Sequence, residues 1–122
     1  MSGLELLEAY PKAAKVVKQF FVDQLLESIE TADLPEDFKE FARQQEIDDD
    51  KVGGLIDNQP RGLFDVLDAN EVYVEITVVV GEKTFFIYHV NGVVNNNPPY
   101  HNRKEAELAA IETAFKVLND KL

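Results

Sequence analysis

The sequence predicts an α+β fold: N-terminal helices, an antiparallel β-meander of two or three strands, and a long C-terminal helix packed on the sheet. Up to Asn70, apolar residues recur every three or four positions, as on one face of a helix. From Glu71 hydrophobicity alternates with a period of two, and a helical period returns after Asn102. We therefore expect one domain over residues 1–122, with a helical acidic part at 1–70 and a strand–strand–helix part at 71–122.

The first two helices are expected on either side of Pro11. A short amphipathic segment ends near that proline, and a long helix follows from Lys12. Its apolar stripe predicts that it forms the core of the front half. The stripe consists of Ala13, Val16, Val17, Phe20, Phe21, Leu25 and Ile29.

The stretch TADLPEDFKEFARQQ has the composition of a helix start. Thr31 or Asp33 is the expected N-cap, Pro35 suits the first turn, and the acidic residues that follow favour the positive end of the helix dipole. We expect the buried side of this helix to consist of Phe38, Phe41 and Ala42.

The acidic run in IDDDKVGGLID is interpreted as the cap of a short helix that carries Val52, Leu55 and Ile56. The pair Gly53-Gly54 weakens this helix by about 1 kcal/mol per glycine relative to alanine. An EF-hand calcium loop needs an oxygen ligand at position 5 and a glutamate at position 12. A loop starting at Asp48 has valine and glutamine there, so we expect no metal site. Residues 58–62 have the composition that interrupts a helix, and LFDVLDAN predicts a final short helical turn after them.

Two strands follow. In VYVEITVVV one face carries Val72, Val74, Ile76, Val78 and Val80, and this face is expected to be buried. GEKT predicts a tight turn, TFFIYHV an antiparallel second strand, and Asn91-Gly92 a hairpin into a short third strand at Val93-Val94. The N-terminal helices would cover one face of the sheet and the C-terminal helix the other, or two chains would extend the sheet as a homodimer.

The stretch NNNPPYHNRKEAE is interpreted as the turn that leaves the sheet and starts the last helix. Asn102 is the expected N-cap, and Glu105 is placed to complete a capping box. Ala106, Ala109 and Ala110 would allow the helix to approach the sheet closely. Tyr100, His101 and Arg103 are left without a structural role, which makes them candidate interaction residues.

The net charge of −11 is uneven. The part up to Asn70 carries −9 and the remainder −2. This field opposes binding to nucleic acid or anionic lipid and can attract a basic partner. No stretch approaches the ~20 apolar residues of a membrane helix, and the first residues lack a secretory-signal pattern, so a cytoplasmic location without membrane contact is expected.

Nucleophilic catalysis is poorly supported. There is no cysteine, and neither Ser2 nor Ser28 lies in a nucleophile motif. His89 shares a strand face with Phe85 and Ile87, which is typical of a half-buried packing residue. The glycines match neither phosphate-binding loop. We therefore expect no enzyme and no cofactor.

The meander followed by NRKEAELAAIETAFKVL resembles the end of a double-stranded RNA-binding domain. The resemblance covers about the last fifty residues and implies that Arg103 and Lys104 would face RNA phosphates. Glu105 and Glu107 interrupt the basic helix start that the family keeps, and the overall charge is wrong for phosphate binding.

The favoured hypothesis is a small acidic protein-interaction module, similar in size and charge to phage or mobile-element accessory proteins. Its contacts would include Tyr73 together with Val79, Tyr88 or Val90, according to which sheet face is covered. The alternative is a nucleic-acid mimic that inhibits a nucleic-acid-binding protein. Its acidic residues would be Glu27, Glu30, Asp33, Glu36, Asp37 and Glu40, all on one face. RNA binding and an enzyme that uses Tyr100, His101 and Arg103 are lesser alternatives.

Overall fold

The computed structural model describes residues 1–44 and 48–122 and confirms the α+β fold. The helices are α1 (Gly3–Ala9), α2 (Pro11–Thr31), α3 (Glu36–Arg43), α4 (Asp49–Asn58), α5 (Phe64–Ala69) and α6 (Arg103–Lys121). A 3-10 helix (Pro60–Leu63) leads from α4 into α5. The strands β1 (Val74–Val79), β2 (Phe85–Val90) and β3 (Val93–Tyr100) form an antiparallel sheet in the order β1-β2-β3.

Helix α6 lies between the sheet and the N-terminal helices. On the sheet side, Thr113 Oγ1 hydrogen-bonds Tyr88 Oη at 2.8 Å. On the other side, Asn119 Oδ1 accepts hydrogen bonds from the backbone N–H groups of Lys12 and Ala13 at 3.0 and 3.2 Å. Asn119 thereby caps the start of α2, whose own N-cap residue makes no side-chain cap. The expectation that the N-terminal helices cover the second sheet face is wrong, because Glu75 and Thr77 on that face are exposed and α2 packs on α6 instead.

The face that β1 turns towards α6 is only partly buried. Val72 is fully buried, and Val74 and Ile76 are half-buried, as the alternation predicts. Val78 and Val80 are exposed, the latter to 77%, which corrects the expectation of five buried valine and isoleucine side chains. The reason is geometric: Val78 pairs with Phe86, and Phe86 lies beneath Arg103, the first residue of α6. The end of the β1–β2 hairpin therefore projects past the start of the covering helix.

The third strand is longer than the sequence predicts. Asn91 and Gly92 both have positive φ, as a tight Asn-Gly hairpin turn requires. After this turn β3 runs through Asn95–Pro99 to Tyr100, so this stretch is a strand and not a turn. Its register shifts between Phe86 and Tyr88, and it lies at the edge of the sheet. An irregular edge strand tolerates prolines because their missing N–H groups are not needed for pairing.

Two glycines explain how α1 packs on α4. A Cβ on Gly53 would lie 2.8 Å from the backbone nitrogen of Leu4, so the helices cross in close backbone contact. Asp57 Oδ1 also accepts a hydrogen bond from Gly3 N–H at 2.8 Å, which caps the start of α1. The glycine pair that weakens α4 as an isolated helix therefore contains the residue that allows it to pack.

Candidate functional site

Tyr100, His101 and Arg103 lie next to each other in the chain but in different surroundings. Tyr100 is half-buried, with its ring 6.1 Å from that of Tyr88. His101 is exposed. Arg103 is exposed and places its guanidinium carbon 5.5 Å from the centre of the Phe86 ring, a cation–π distance.

The Tyr100 phenol has a raised pKa. Burial is the main cause, because it disfavours the phenolate, and the negative charges that Tyr88 and Glu112 can carry add to it. Tyr100 is thus held in its neutral form beneath α6. This environment suits a packing residue, and it does not activate the phenol for proton transfer near neutral pH.

Arg103 and Lys104 line a cleft of about 510 Å³ together with Arg61. At its wall, Arg61 Nε donates to Glu107 Oε1 at 2.7 Å, and the Glu107 side chain is almost fully buried. This ion pair joins the 3-10 helix to α6 across 46 residues of sequence. The ion pair thereby satisfies the carboxylate of Glu107, the residue that interrupts the basic start of α6.

Asn102 is the N-cap of α6, as the sequence predicts. Its Oδ1 accepts a hydrogen bond from Glu105 N–H at 2.8 Å. In a complete capping box the Asn102 N–H would also donate to the Glu105 side chain. Among the described residues this second hydrogen bond is not formed. The strong helix start is therefore built from half of the expected motif.

The structure decides which sheet face is covered. Tyr88 is 3% exposed, and Val90 is also buried, so both lie beneath α6. Tyr73 is exposed at the entrance to β1. The opposite face carries Phe85, Ile87 and His89 on the central strand, each half-buried, as the shared strand face predicts for His89. The His89 Nε2 lies 3.4 Å from Thr77 Oγ1 on this face.

The largest departure from the sequence-based expectation is at α3. Phe38 is 64% exposed and Phe41 is 65% exposed, and no residue of this helix is buried. The expected buried side is therefore wrong. The expected caps are also wrong, because Pro35 occupies the N-cap position and makes no side-chain hydrogen bond.

Helix α3 pairs with the end of α2, and together they form a projecting unit. We call residues 22–44 the α2–α3 arm. Ile29 is the one buried residue in this arm, whereas α2 before it packs its buried residues on α1 and α6. Leu34, in the segment between α2 and α3, is 49% exposed. The arm is thus a pair of helices with little apolar interior.

Arg43 holds the two helices of the arm together. Its Nε lies 2.7 Å from Glu30 Oε1 at the end of α2, and one of its terminal nitrogens lies 2.9 Å from Glu36 Oε1. These hydrogen bonds, the Glu36 bond foremost, raise the Arg43 pKa. Lys39 Nζ donates to the Glu30 backbone carbonyl at 3.3 Å. Polar bridges therefore link α3 to α2.

The carboxylates of α3 lie to one side of its aromatic face. At about 100° per residue, Glu36 and Glu40 lie about 160° around α3 from Phe38. Glu30 and Glu36 are both bound to Arg43. Asp37 lies beside Phe38 and Phe41 and lines with them a depression of about 340 Å³. The carboxylates of α3 thus occupy an arc of about 100°, in which Asp37 borders the aromatic face and Glu36 and Glu40 lie farther from it.

Within residues 1–44 and 48–122, no group of three or more histidine or acidic side chains is arranged to hold a metal ion. None of the described helices is both long and apolar enough to span a bilayer.

The arm is the most distinctive surface of the described chain, because it exposes aromatic side chains that an isolated domain would normally bury. Periodicity identifies these residues as one face of a helix, but it does not identify what the face contacts. Comparison with protein-family models, with curated proteins and with solved structures found no match to this chain.

Proposed function

We propose that the protein is a protein-interaction module that docks its partner through the α2–α3 arm. The observation that carries this proposal is the exposure of Phe38 and Phe41 on a helix with no buried residue. Aromatic side chains are enriched at the centres of protein interfaces, where they supply much of the binding energy.

The size of the exposed surface supports docking. A phenylalanine can bury roughly 150–250 Å², so the exposed parts of Phe38 and Phe41 together amount to about 250 Å². At roughly 25 cal/mol per Å² of apolar surface, covering them would contribute about 6 kcal/mol before the costs of association are subtracted. A patch of this size approaches the largest found on ordinary monomers, which are often functional.

Other functions receive less support from the geometry. An enzyme that used Tyr100, His101 and Arg103 would need these side chains to converge on one substrate, but Tyr100 packs inward and Arg103 lies over Phe86. A nucleic-acid mimic would need carboxylates that are free to meet a basic cleft, but Glu30 and Glu36 are bound to Arg43. The exposed apolar face favours protein docking over both.

Site-specific photocrosslinking in the cells that make the protein tests the proposal. A photoreactive phenylalanine analogue replaces Phe38 in one variant and Val80 in a second. Val80 is the matched control, because it is apolar and 77% exposed but lies at the tip of the β1–β2 hairpin. We expect a discrete protein adduct from position 38, its loss when Phe41→Ser is added, and no such adduct from position 80. No adduct at position 38, or the same adduct from both positions, would show that the arm is not the docking surface.

A further inference from the structure

From the charge around the arm we infer the chemistry of its partner: a protein surface with an apolar centre and a rim of lysine and arginine, and not a second copy of this chain. This inference rests on the proposed function. It adds a partner class, which the exposure of the phenylalanines alone does not define.

The arm carries a large share of the protein's negative charge. Residues 22–44 contain seven carboxylates and two basic side chains, so their net charge is −5, out of −11 for the whole chain. A field of this sign attracts a cationic surface and increases its rate of association, and it repels an anionic one.

The two basic side chains of the arm do not offset this field where the phenylalanines are exposed. Arg43 is bound to Glu30 and Glu36, and Lys39 is hydrogen-bonded to a carbonyl at the end of α2. Asp37, in contrast, lines the same depression as Phe38 and Phe41. A partner that covers the aromatic face therefore meets a carboxylate at its border, which a lysine or arginine can pair.

The same charges argue against a symmetric dimer through the arm. Two copies that met at this face would bring together two units of −5 each, and in a two-fold interface every carboxylate at the border meets the same surface on the other chain. Like charges placed together across an interface disfavour association. The apolar surface alone would permit self-association, but the charge selects a basic partner.

The geometry of the arm matches a known mode of recognition. Phe38 and Phe41 have the i, i+3 spacing of anchor residues that a helix presents to an apolar surface. Phe38 and Phe41 lie about 60° apart around α3, so both can contact one surface at the same time.

Binding of designed peptides to the full chain tests the inference. The probe is an amphipathic helical peptide with leucines on one face and lysines on the other. One control peptide keeps the leucines and replaces lysine by glutamate, and the other keeps the lysines and replaces leucine by serine. We expect the leucine–lysine peptide to bind with a Kd that rises at least about tenfold between about 0.05 and 0.5 M salt, and the two controls to bind at least about tenfold more weakly at low salt.

Matched variants locate the binding. The double variant F38S/F41S is expected to weaken binding of the leucine–lysine peptide about tenfold or more. The variant D37N should weaken it several-fold and reduce its salt dependence, whereas D65N, which removes the same charge from an exposed position on α5, should leave it unchanged.

Several results would overturn the inference. Equal binding of the leucine–glutamate peptide would mean that charge plays no part, and equal binding of the serine–lysine peptide would mean that the phenylalanines play none. Unchanged binding by F38S/F41S would place the contact elsewhere. Sedimentation that shows a dimer dissociated by F38S/F41S would make a second copy the occupant. In each of these cases, a photocrosslinked protein adduct from position 38 would still support docking through the arm, and only the partner chemistry would be wrong. If position 38 gives no adduct, the proposed function itself is wrong.

Discussion

Tyr100 shows how a single residue acquires a role that its sequence neighbours do not predict. It follows two prolines and precedes a histidine, which makes it a candidate for a binding loop. In the structure it pairs with Phe86 across the sheet and its ring lies near Tyr88. Its raised pKa therefore reflects packing, because burial disfavours the charged phenolate.

This raised pKa gives a prediction about alkaline stability. The unfolded chain loses the Tyr100 proton near the usual pKa of 10.0, before the folded chain does. The folded state then binds more protons than the unfolded state, so stability falls as the pH rises from about 10 through the folded pKa. The variant Tyr100→Phe cannot ionise at this position, so we expect it to lose less stability than the wild type in this range.

Urea denaturation at about pH 8.5 and about pH 11 measures the effect. Other groups that titrate in this range act on both proteins, so the difference between wild type and Tyr100→Phe isolates the phenol. Parallel losses in the two proteins would show that Tyr100 is as accessible to hydroxide in the folded chain as in the unfolded one.

Other residues show where sequence reasoning succeeds and where it stops. Asn102 and Asp48 are recognisable as N-caps because each bonds an N–H only three residues away. Asn119 and Asp57 also cap helices, but their partners lie more than fifty residues away in the chain. No local pattern can reveal a cap of that kind.

At the scale of secondary-structure elements, the crossing of α1 and α4 depends on which of two adjacent glycines is substituted. A Cβ on Gly53 would lie 2.8 Å from the Leu4 backbone nitrogen, whereas a Cβ on Gly54 would meet nothing within 4 Å. Backbone atoms cannot move aside as a flexible side chain can. The two positions therefore have opposite expected responses to alanine.

We expect Gly53→Ala to destabilise the protein by about 1–3 kcal/mol, because overpacking forces the helices apart. Gly54→Ala should stabilise it by up to about 1 kcal/mol, because alanine favours the interior of a helix. The free energy of unfolding of each variant, from urea denaturation, provides the comparison. Equal effects of the two substitutions would contradict the close crossing of α1 and α4.

The hairpins are predicted correctly from the sequence, whereas the burial of α3 is not. The alternation in β1 and the Asn-Gly turn locate the hairpins correctly, because these signals are local. The sequence also predicts α3 and places Phe38 and Phe41 on one of its faces. It assigns that face to the core, however, because an apolar face looks the same whether it contacts the chain's own core or another protein.

At the scale of the whole molecule, α6 organises the fold because it is packed on two sides. Its small residues Ala106, Ala110 and Ala114 are fully buried, together with Ile111 and Phe115. The sequence identifies this helix and its apolar residues, but the order of the layers depends on contacts between distant parts of the chain. The arm projects from this assembly because only the first part of α2 packs on α6 and α1.

The arm also differs from the rest of the molecule in its charge and in its exposed apolar surface. The buried core extends from α1 to α6, whereas the arm carries a net charge of −5 and an exposed aromatic face. Residues 22–44 thus contribute little to the interior, although they make up about a fifth of the chain. This separation implies that the aromatic face can be altered without loss of the fold.

Whether Phe38 and Phe41 serve binding or folding is tested most directly by the free energy of unfolding of the F38S/F41S variant. Phenylalanine and serine have similar helix propensities, and exposed substitutions usually change stability by less than about 0.5 kcal/mol, so we expect a free energy within about 1 kcal/mol of the wild-type value. Phe115→Ala, at a fully buried position, serves as the reference and should cost about 3–5 kcal/mol. If F38S/F41S instead loses as much stability as Phe115→Ala, the two phenylalanines belong to the core of the protein and the arm is not a docking surface.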